Sequence, residues 1–182
     1  MDENTKTLAL DLETQHSFQE IGGNNDKHHL LKISVVGVFD YQGQQFLTFE
    51  ENQLEALEKL LKERDTLIGF NIKAFDIKVL ESYLDFDFKK LKIIDLMDQP
   101  SLYLNHRVSL DSLVTTTLSE KKSGDGLKAV ELYRNGKMAE LKKYCLEDVR
   151  LTRDLYEYGK KHHQVIFKSK YTLKDQAISV NW

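Results

Sequence analysis

The chain is poor in the residues that staple, punctuate or span a protein. It has one cysteine, Cys145, among 182 residues, so neither an intramolecular disulfide nor a cysteine-based zinc site can form, which fits a reducing compartment. Its single proline is Pro100, and no tract is rich in proline, glycine or serine, so nothing marks a linker between domains. No apolar run nears the roughly 18 residues that cross a bilayer. The start, Met1-Asp2-Glu3-Asn4, lacks the basic region of a signal peptide. The expectation is a cytoplasmic protein with no membrane partner. An excess of one charge is also missing: 26 Lys and Arg stand against 29 Asp and Glu, a formal net charge of -3. A general nucleic-acid coat is thereby disfavoured, and any phosphate contact must be local or carried by cations on an acidic site.

What is present suits one folded domain over residues 1–182. With 41% hydrophobic and 10% aromatic residues, the chain can bury a sizeable core and is not of disordered composition. Thr7 to Glu13 alternates strictly, which predicts a strand with its leucines on one face and its carboxylates on the other. Leu31 to Asp40 and Gln44 to Glu50, separated by Tyr41-Gln42-Gly43, predict a hairpin. Leu54, Leu57, Leu60 and Leu61 mark an amphipathic helix ending near Asp65. A strand over Leu67 to Phe70, a helix over about Phe75 to Leu84 and a strand over about Leu91 to Met97 follow. From Ser109 the pattern is mainly helical, most clearly between Met138 and Gly159, before a β tail from Gln164. Strands followed by strand-helix alternation predict an α/β domain with a mixed sheet.

Three features carry chemistry. Asp11 and Glu13 lie two apart in the first strand, so the pleat puts both carboxylates on one face, close enough to share a divalent cation. Alone, such a pair also arises on ordinary solvated strands. Asp76 sits where a strand hands over to a helix, a place that the helix dipole favours for an acid. Yet Val79, Leu80 and Tyr83 follow at spacings of three, four and seven, which puts Asp76 on the apolar stripe. Asp148 repeats the anomaly in the last long helix, amid Leu141, Tyr144, Cys145, Thr152 and Leu155. A buried carboxylate needs a donor, a cation or a metal. One cluster of oxygen-bound cations would relieve all three anomalies together. Tyr144 precedes Asp148 by one helical turn and shares its face, whereas Cys145 reads as small core packing.

In this combination the chain resembles the DEDD 3′-to-5′ exonucleases of the ribonuclease H-like superfamily. That family carries D-x-E, then N-x-x-x-F-D or similar, then Y-x-x-x-D. The corresponding residues are Asp11-Leu12-Glu13, then Asn71 through Phe75-Asp76, then Tyr144 through Asp148. The tyrosine subclass is indicated, because the histidine subclass would place His where Lys143 stands. Arg107 through Leu113 and Lys122 through Gly126 are similar to segments of predicted bacterial nucleases of this group. The connection from Thr14 to His29 is longer than a minimal one.

The resemblance implies a ribonuclease H-like fold: a central mixed five-stranded sheet with helices on both faces. It also implies two divalent cations, Mg²⁺ or Mn²⁺, held about 4 Å apart by Asp11, Glu13, Asp76 and Asp148. Tyr144 would orient the attacking water, its phenol being too basic to act as general base near neutral pH. The implied reaction releases nucleoside 5′-monophosphates from a single-stranded or frayed 3′ end of DNA or RNA. Asn71 and Phe75 are candidate contacts for the terminal nucleotide, and Lys121 and Lys122 for backbone phosphates. His28 and His29 are adjacent and are left out of the metal site. Ser17 to Asn25 reads as a flap or as an ordinary surface connection. The competing reading is a catalytically silent nucleic-acid-binding or scaffolding module with the same fold. A helicase or polymerase partner is left open by the sequence.

Overall fold

The computed structural model describes residues 6–23, 27–121, 126–169 and 173–182. Five strands form one mixed sheet in the order β3-β2-β1-β4-β5: β1 is Thr7–Thr14, β2 Ile33–Asp40, β3 Gln45–Glu50, β4 Thr66–Gly69 and β5 Lys92–Asp95. β2 pairs antiparallel with β1 and β3, while β4 runs parallel to β1 and β5. The expected α/β fold with a mixed five-stranded sheet is therefore the observed one. The strict alternation of β1 explains its central place. Leu8, Leu10 and Leu12 join the core under α1, Leu54–Lys62, and α2, Asp76–Leu80. Ala9 faces the opposite layer.

That opposite layer contains α4, Leu110–Thr117, α5, Gly126–Arg134, and the 25-residue α6, Met138–His162. Helices thus cover both faces of the sheet. A hairpin of β6, Gln164–Lys168, and β7, Asp175–Ser179, forms a separate two-stranded sheet. Its Val165, Phe167 and Ile178 pack among Leu113, Val114 and Leu155. At the far corner, Arg64 donates to both carboxylate oxygens of Asp40, at 3.1 and 3.0 Å, which ties the approach to β4 to the end of β2. None of the described helices is long and apolar enough to cross a membrane.

Two elements end earlier than expected, and one helix is additional. α2 ends at Leu80 because the chain tightens there: Ser82 N–H donates to Val79 and Tyr83 N–H to Leu80, bonds of the three-residue type. β5 stops at Asp95, whose side chain turns to the neighbouring loop. α3, Asp98–Leu104, was not expected. Pro100 sits in its first turn, where N–H groups have no intrahelical partner in any case, so the proline does not break it.

α6 lies close to the sheet, and Gly37 permits this. Gly37 is the β2 partner of Asp11 in the register. A Cβ there would stand 2.9 Å from Cys145 Sγ and 3.0 Å from Val149 Cγ2, both on α6. We expect Gly37→Val to lower stability in urea by about 1–3 kcal/mol through overpacking. Unchanged unfolding of that variant would mean that α6 is not seated this tightly.

Candidate active site

The register of β1 determines which side chains face α6. Ala9, Asp11 and Glu13 share that face, and the small Ala9 leaves the helix room to approach. Asp11 is half-buried, Glu13 is 7% exposed and Asp148 1% exposed. Each offers one carboxylate oxygen within 4.8 Å of those of the other two. Like charges so close repel unless protons or cations intervene. The Cys145 thiol feels this field: burial pushes it well up, and Asp11, Glu13 and Asp148 push it further. Its sulfur lies 3.5 Å from the Asp11 carbonyl. Cys145 is thus held as a thiol, in keeping with a packing role. The oxygen donor set suits a hard divalent cation.

Asp76 reaches the same stretch of β1 by another route. β4 pairs with β1 only as far as Ala9, so the next N–H groups on that side need other partners. Asp76, the first residue of α2 and 2% exposed, accepts from the Leu12 N–H at 3.0 Å. Its carboxylate is therefore anchored between the positions of Asp11 and Glu13, although it is not one of the three that approach within 4.8 Å. Tyr144, 4% exposed, lies one turn before Asp148 on α6, and Lys128 Nζ is 5.6 Å from its ring centroid.

The turn that delivers Asp76 is braced by two residues that the motif reading missed. Asp95 Oδ1 accepts from Asn71 N–H at 2.8 Å and from Met97 N–H at 3.1 Å, and its Oδ2 accepts from Lys73 N–H at 3.2 Å. Asn71 is held in a left-handed conformation, φ 60°, which asparagine tolerates better than most residues. Burial pushes the Asp95 carboxyl above the usual range, against the downward pull of those three N–H donors. Arg107 Nη2 donates to Asn71 Oδ1 at 2.9 Å. A clue to Asp95 lay in its position at the C-terminal end of a parallel strand, where ligand-facing residues of α/β sheets gather. Arg107 opens the Arg107 to Leu113 segment of the resemblance, which gave it no role.

A groove of about 720 Å³ runs past these groups, lined by Asp11, Glu13, Asn71, Phe75 and Arg107 among others. Asp111 and Gly126 line it as well. The structure therefore gathers Asp11, Glu13, Asp76, Tyr144 and Asp148 around one end of β1, with Asn71 and Phe75 beside them. Lys121 is exposed and is not among the described residues lining this groove. Lys122 and the end of the Ser17 to Asn25 stretch lie outside the described residues. We expect Asp95→Asn, which leaves at least one buried N–H unsatisfied, to cost about 1–3 kcal/mol in thermal or urea unfolding. A wild-type melting curve for that variant would show that Asp95 does not brace the turn.

Comparisons with known proteins agree with this architecture. The family model of the RNase H superfamily matches residues 10–159, a span that holds both acidic residues of β1, Asp76 and the Tyr144 to Asp148 turn. The family B DNA polymerase from the hyperthermophilic archaeon Pyrobaculum calidifontis is similar with a TM-score of 0.61 and 18% identity, over 84% of this chain and 24% of the polymerase. Trypanosoma brucei RNase D gives 0.62 and 16%, over 86% of this chain and 58% of that one. Its complex with RNA U12 gives 0.61 and 14%, over 86% and 56%. At such identities the likeness is one of fold, and this chain spans from about a quarter to under three fifths of those proteins. No curated protein matches the sequence. The strand order, the acidic pair on the central strand and the family match over most of its length make the chain a member of the RNase H superfamily.

Proposed function

We propose that the chain is a metal-dependent 3′-to-5′ exonuclease domain, a single unit over residues 1–182, that hydrolyses DNA or RNA to nucleoside 5′-monophosphates. The observation that carries this reading is the approach of Asp11, Glu13 and Asp148 within 4.8 Å. Asp76 fixed on the Leu12 N–H and Tyr144 one turn from Asp148 add support. The resemblance to the tyrosine subclass of DEDD exonucleases supplies the direction of cleavage. The solved relatives include an RNase D bound to RNA U12, which supports a nucleic-acid substrate.

In this reading Asp11, Glu13, Asp76 and Asp148 hold two divalent cations, Mg²⁺ or Mn²⁺. Bound there, such ions lower the pKa of a coordinated water and stabilise the oxygen that leaves. The rest is the work of the chain. Tyr144 orients the attacking water along the line to phosphorus, and the bond to the 3′ oxygen breaks on the opposite side. The Leu12 N–H keeps Asp76 from swinging out of the cluster. Asn71 and Phe75, on the groove wall, position the terminal nucleotide. Lys121 and Lys122 are the candidates for contact with backbone phosphates. The lack of net positive charge is consistent with contact limited to a strand end.

The direct test incubates the purified protein with 5′-labelled single-stranded DNA and RNA in Mg²⁺, Mn²⁺ or EDTA. We expect a ladder that shortens from the 3′ end and is abolished by EDTA. Asp11→Ala and Asp148→Ala should each lose about 100-fold or more, since even groups that only support metal ligands are worth roughly 10- to 100-fold. Cleavage that survives EDTA or either substitution would refute the reading. Binding without cleavage would favour the silent module. Millimolar Mg²⁺ or Mn²⁺ is also expected to raise the melting temperature of the wild type and to raise that of Asp11→Asn less. An equal rise in both would remove Asp11 from the metal site.

A further inference from the structure

An open sheet ends in two edges, and proteins guard them with short strands, lysine, proline or bulges, because a free row of N–H and C=O groups invites another strand. β5 is guarded in this way: it has four residues, begins on the exposed Lys92 and turns Asp95 into the neighbouring loop. β3 is not. Gln45–Glu50 contains neither lysine nor proline, its only charge is the last residue, and its register with β2 runs without a shift. Among the described residues no strand pairs with its outer side. Its apolar side chains stay open on both faces of the sheet: Phe46 is 36% exposed, and Leu47 and Phe49 are half-buried.

The two faces of β3 differ in chemistry. Leu47 and Phe49 pack with the core under α1. On the other face the Arg153 guanidinium stands 5.1 Å from the Phe46 ring centroid and Lys142 pairs with Glu50 at 2.6 Å, both cations being on α6. A strand added antiparallel must match this pattern face for face, since residues directly opposite point to the same side. β3 itself meets that requirement. A two-fold axis normal to the sheet at Thr48 sets Leu47 against Phe49 of a second copy, twice, on the α1 face. On the α6 face the same axis sets Glu50 of each copy against Phe46 of the other, beside Arg153, so acid meets cation at both ends. An axis at Leu47 would set Glu50 against Gln44 and forgo that charge pairing.

We propose that β3 is a self-association edge: two copies of this chain pair antiparallel through Gln45–Glu50 with the axis at Thr48, which joins their five-stranded sheets into one. The occupant is a second copy because an unrelated peptide would supply neither the repeated Leu47 to Phe49 contact nor the reciprocal Glu50 to Arg153 pair. The register carries the consequence to the groove. Asp11 is level with Gly37, and Gly37 with Thr48, so the axis is level with the acidic pair of each copy. Such an axis keeps both α6 helices on one side of the joined sheet. The two copies of Asp11 then stand five strand spacings apart, about 24 Å. The association goes beyond the proposed chemistry and does not depend on whether the groove cleaves nucleic acid.

Sedimentation of the full chain over a concentration series reads the association directly. We expect a reversible dimer with a dissociation constant between roughly 1 and 100 µM, since one strand edge is a small interface beside the roughly 800 Å² per partner of standard ones. Thr48→Lys puts like charges on the axis and should weaken the dimer by at least about ten-fold. Glu50→Arg, which sets a cation against Arg153, should weaken it to a similar degree. Cys145 is fully buried, so Thr48→Cys supplies an accessible thiol. Oxidation should link two copies through it, because opposite Cβ atoms lie about 4.5–5.5 Å apart, near the span of a disulfide. Gln45→Cys, which faces Glu51 in this register, should not cross-link. A monomer at every concentration, a dimer that Thr48→Lys leaves intact, or cross-linking at Gln45→Cys as readily as at Thr48→Cys would each overturn the proposal. The pair of cysteine variants decides the matter even if Thr48→Lys folds poorly.

Discussion

The seating of α6 on the sheet sets the distances in the groove. Asp148 reaches the acidic pair of β1 only because the helix backbone comes down close to the strands, and it does so at Gly37. Leu141, Cys145, Val149 and Thr152 fill the contact with fully buried side chains. The same turns of helix that pack the core therefore carry Tyr144 and Asp148. Neither can be moved without moving buried apolar surface. In a closely packed interior that surface shifts only at a cost, since voids and overlaps both destabilise.

Such rigidity has an electrostatic purpose. Carboxylates brought together without cations repel, and a flexible frame would relax by letting them part. The frame instead constrains them from independent directions. β1 fixes Asp11 and Glu13 through pairing with β2, Asp76 is held by the Leu12 N–H, and Asp148 by the core of α6. Asp95 extends this bracing to the Asn71 turn, using three backbone N–H groups where a regular element would use a strand or helix partner. A site held in this way stays open to a charged ligand because the protein, and not the ligand, bears the cost of assembling it.

Much of this was legible in the sequence because periodicity marks burial. The alternation of β1 gave both its strand and its two faces, and Asp76 and Asp148 stood out as acids on apolar stripes. What remained hidden left no such mark. Asp95 closes a short apolar strand as any surface acid might, and its partners are main-chain groups that the side-chain pattern does not record. Arg107 lies in a loop without periodicity. α3 was masked by Pro100, which reads as a breaker unless its place in the first turn is known. α2 was drawn too long because Tyr83 continues its stripe, although the backbone has already tightened into three-residue turns. Phe18 and His28 meet Phe75 across distant parts of the chain, and only tertiary packing brings these rings together.

The separation of the acidic residues along the chain has a consequence in time. A chain grows from its N-terminus at about 5–20 residues per second, so β1 leaves the ribosome with Asp11 and Glu13 seconds before Asp148 exists. In that interval the pair is only two acids on a strand that still lacks the helix covering one of its faces. The cluster closes when α6 docks, which is also when the opposite layer of the core closes. Whatever chemistry the groove performs is thus withheld from the nascent chain, and it begins only when the fold that supports it is nearly complete.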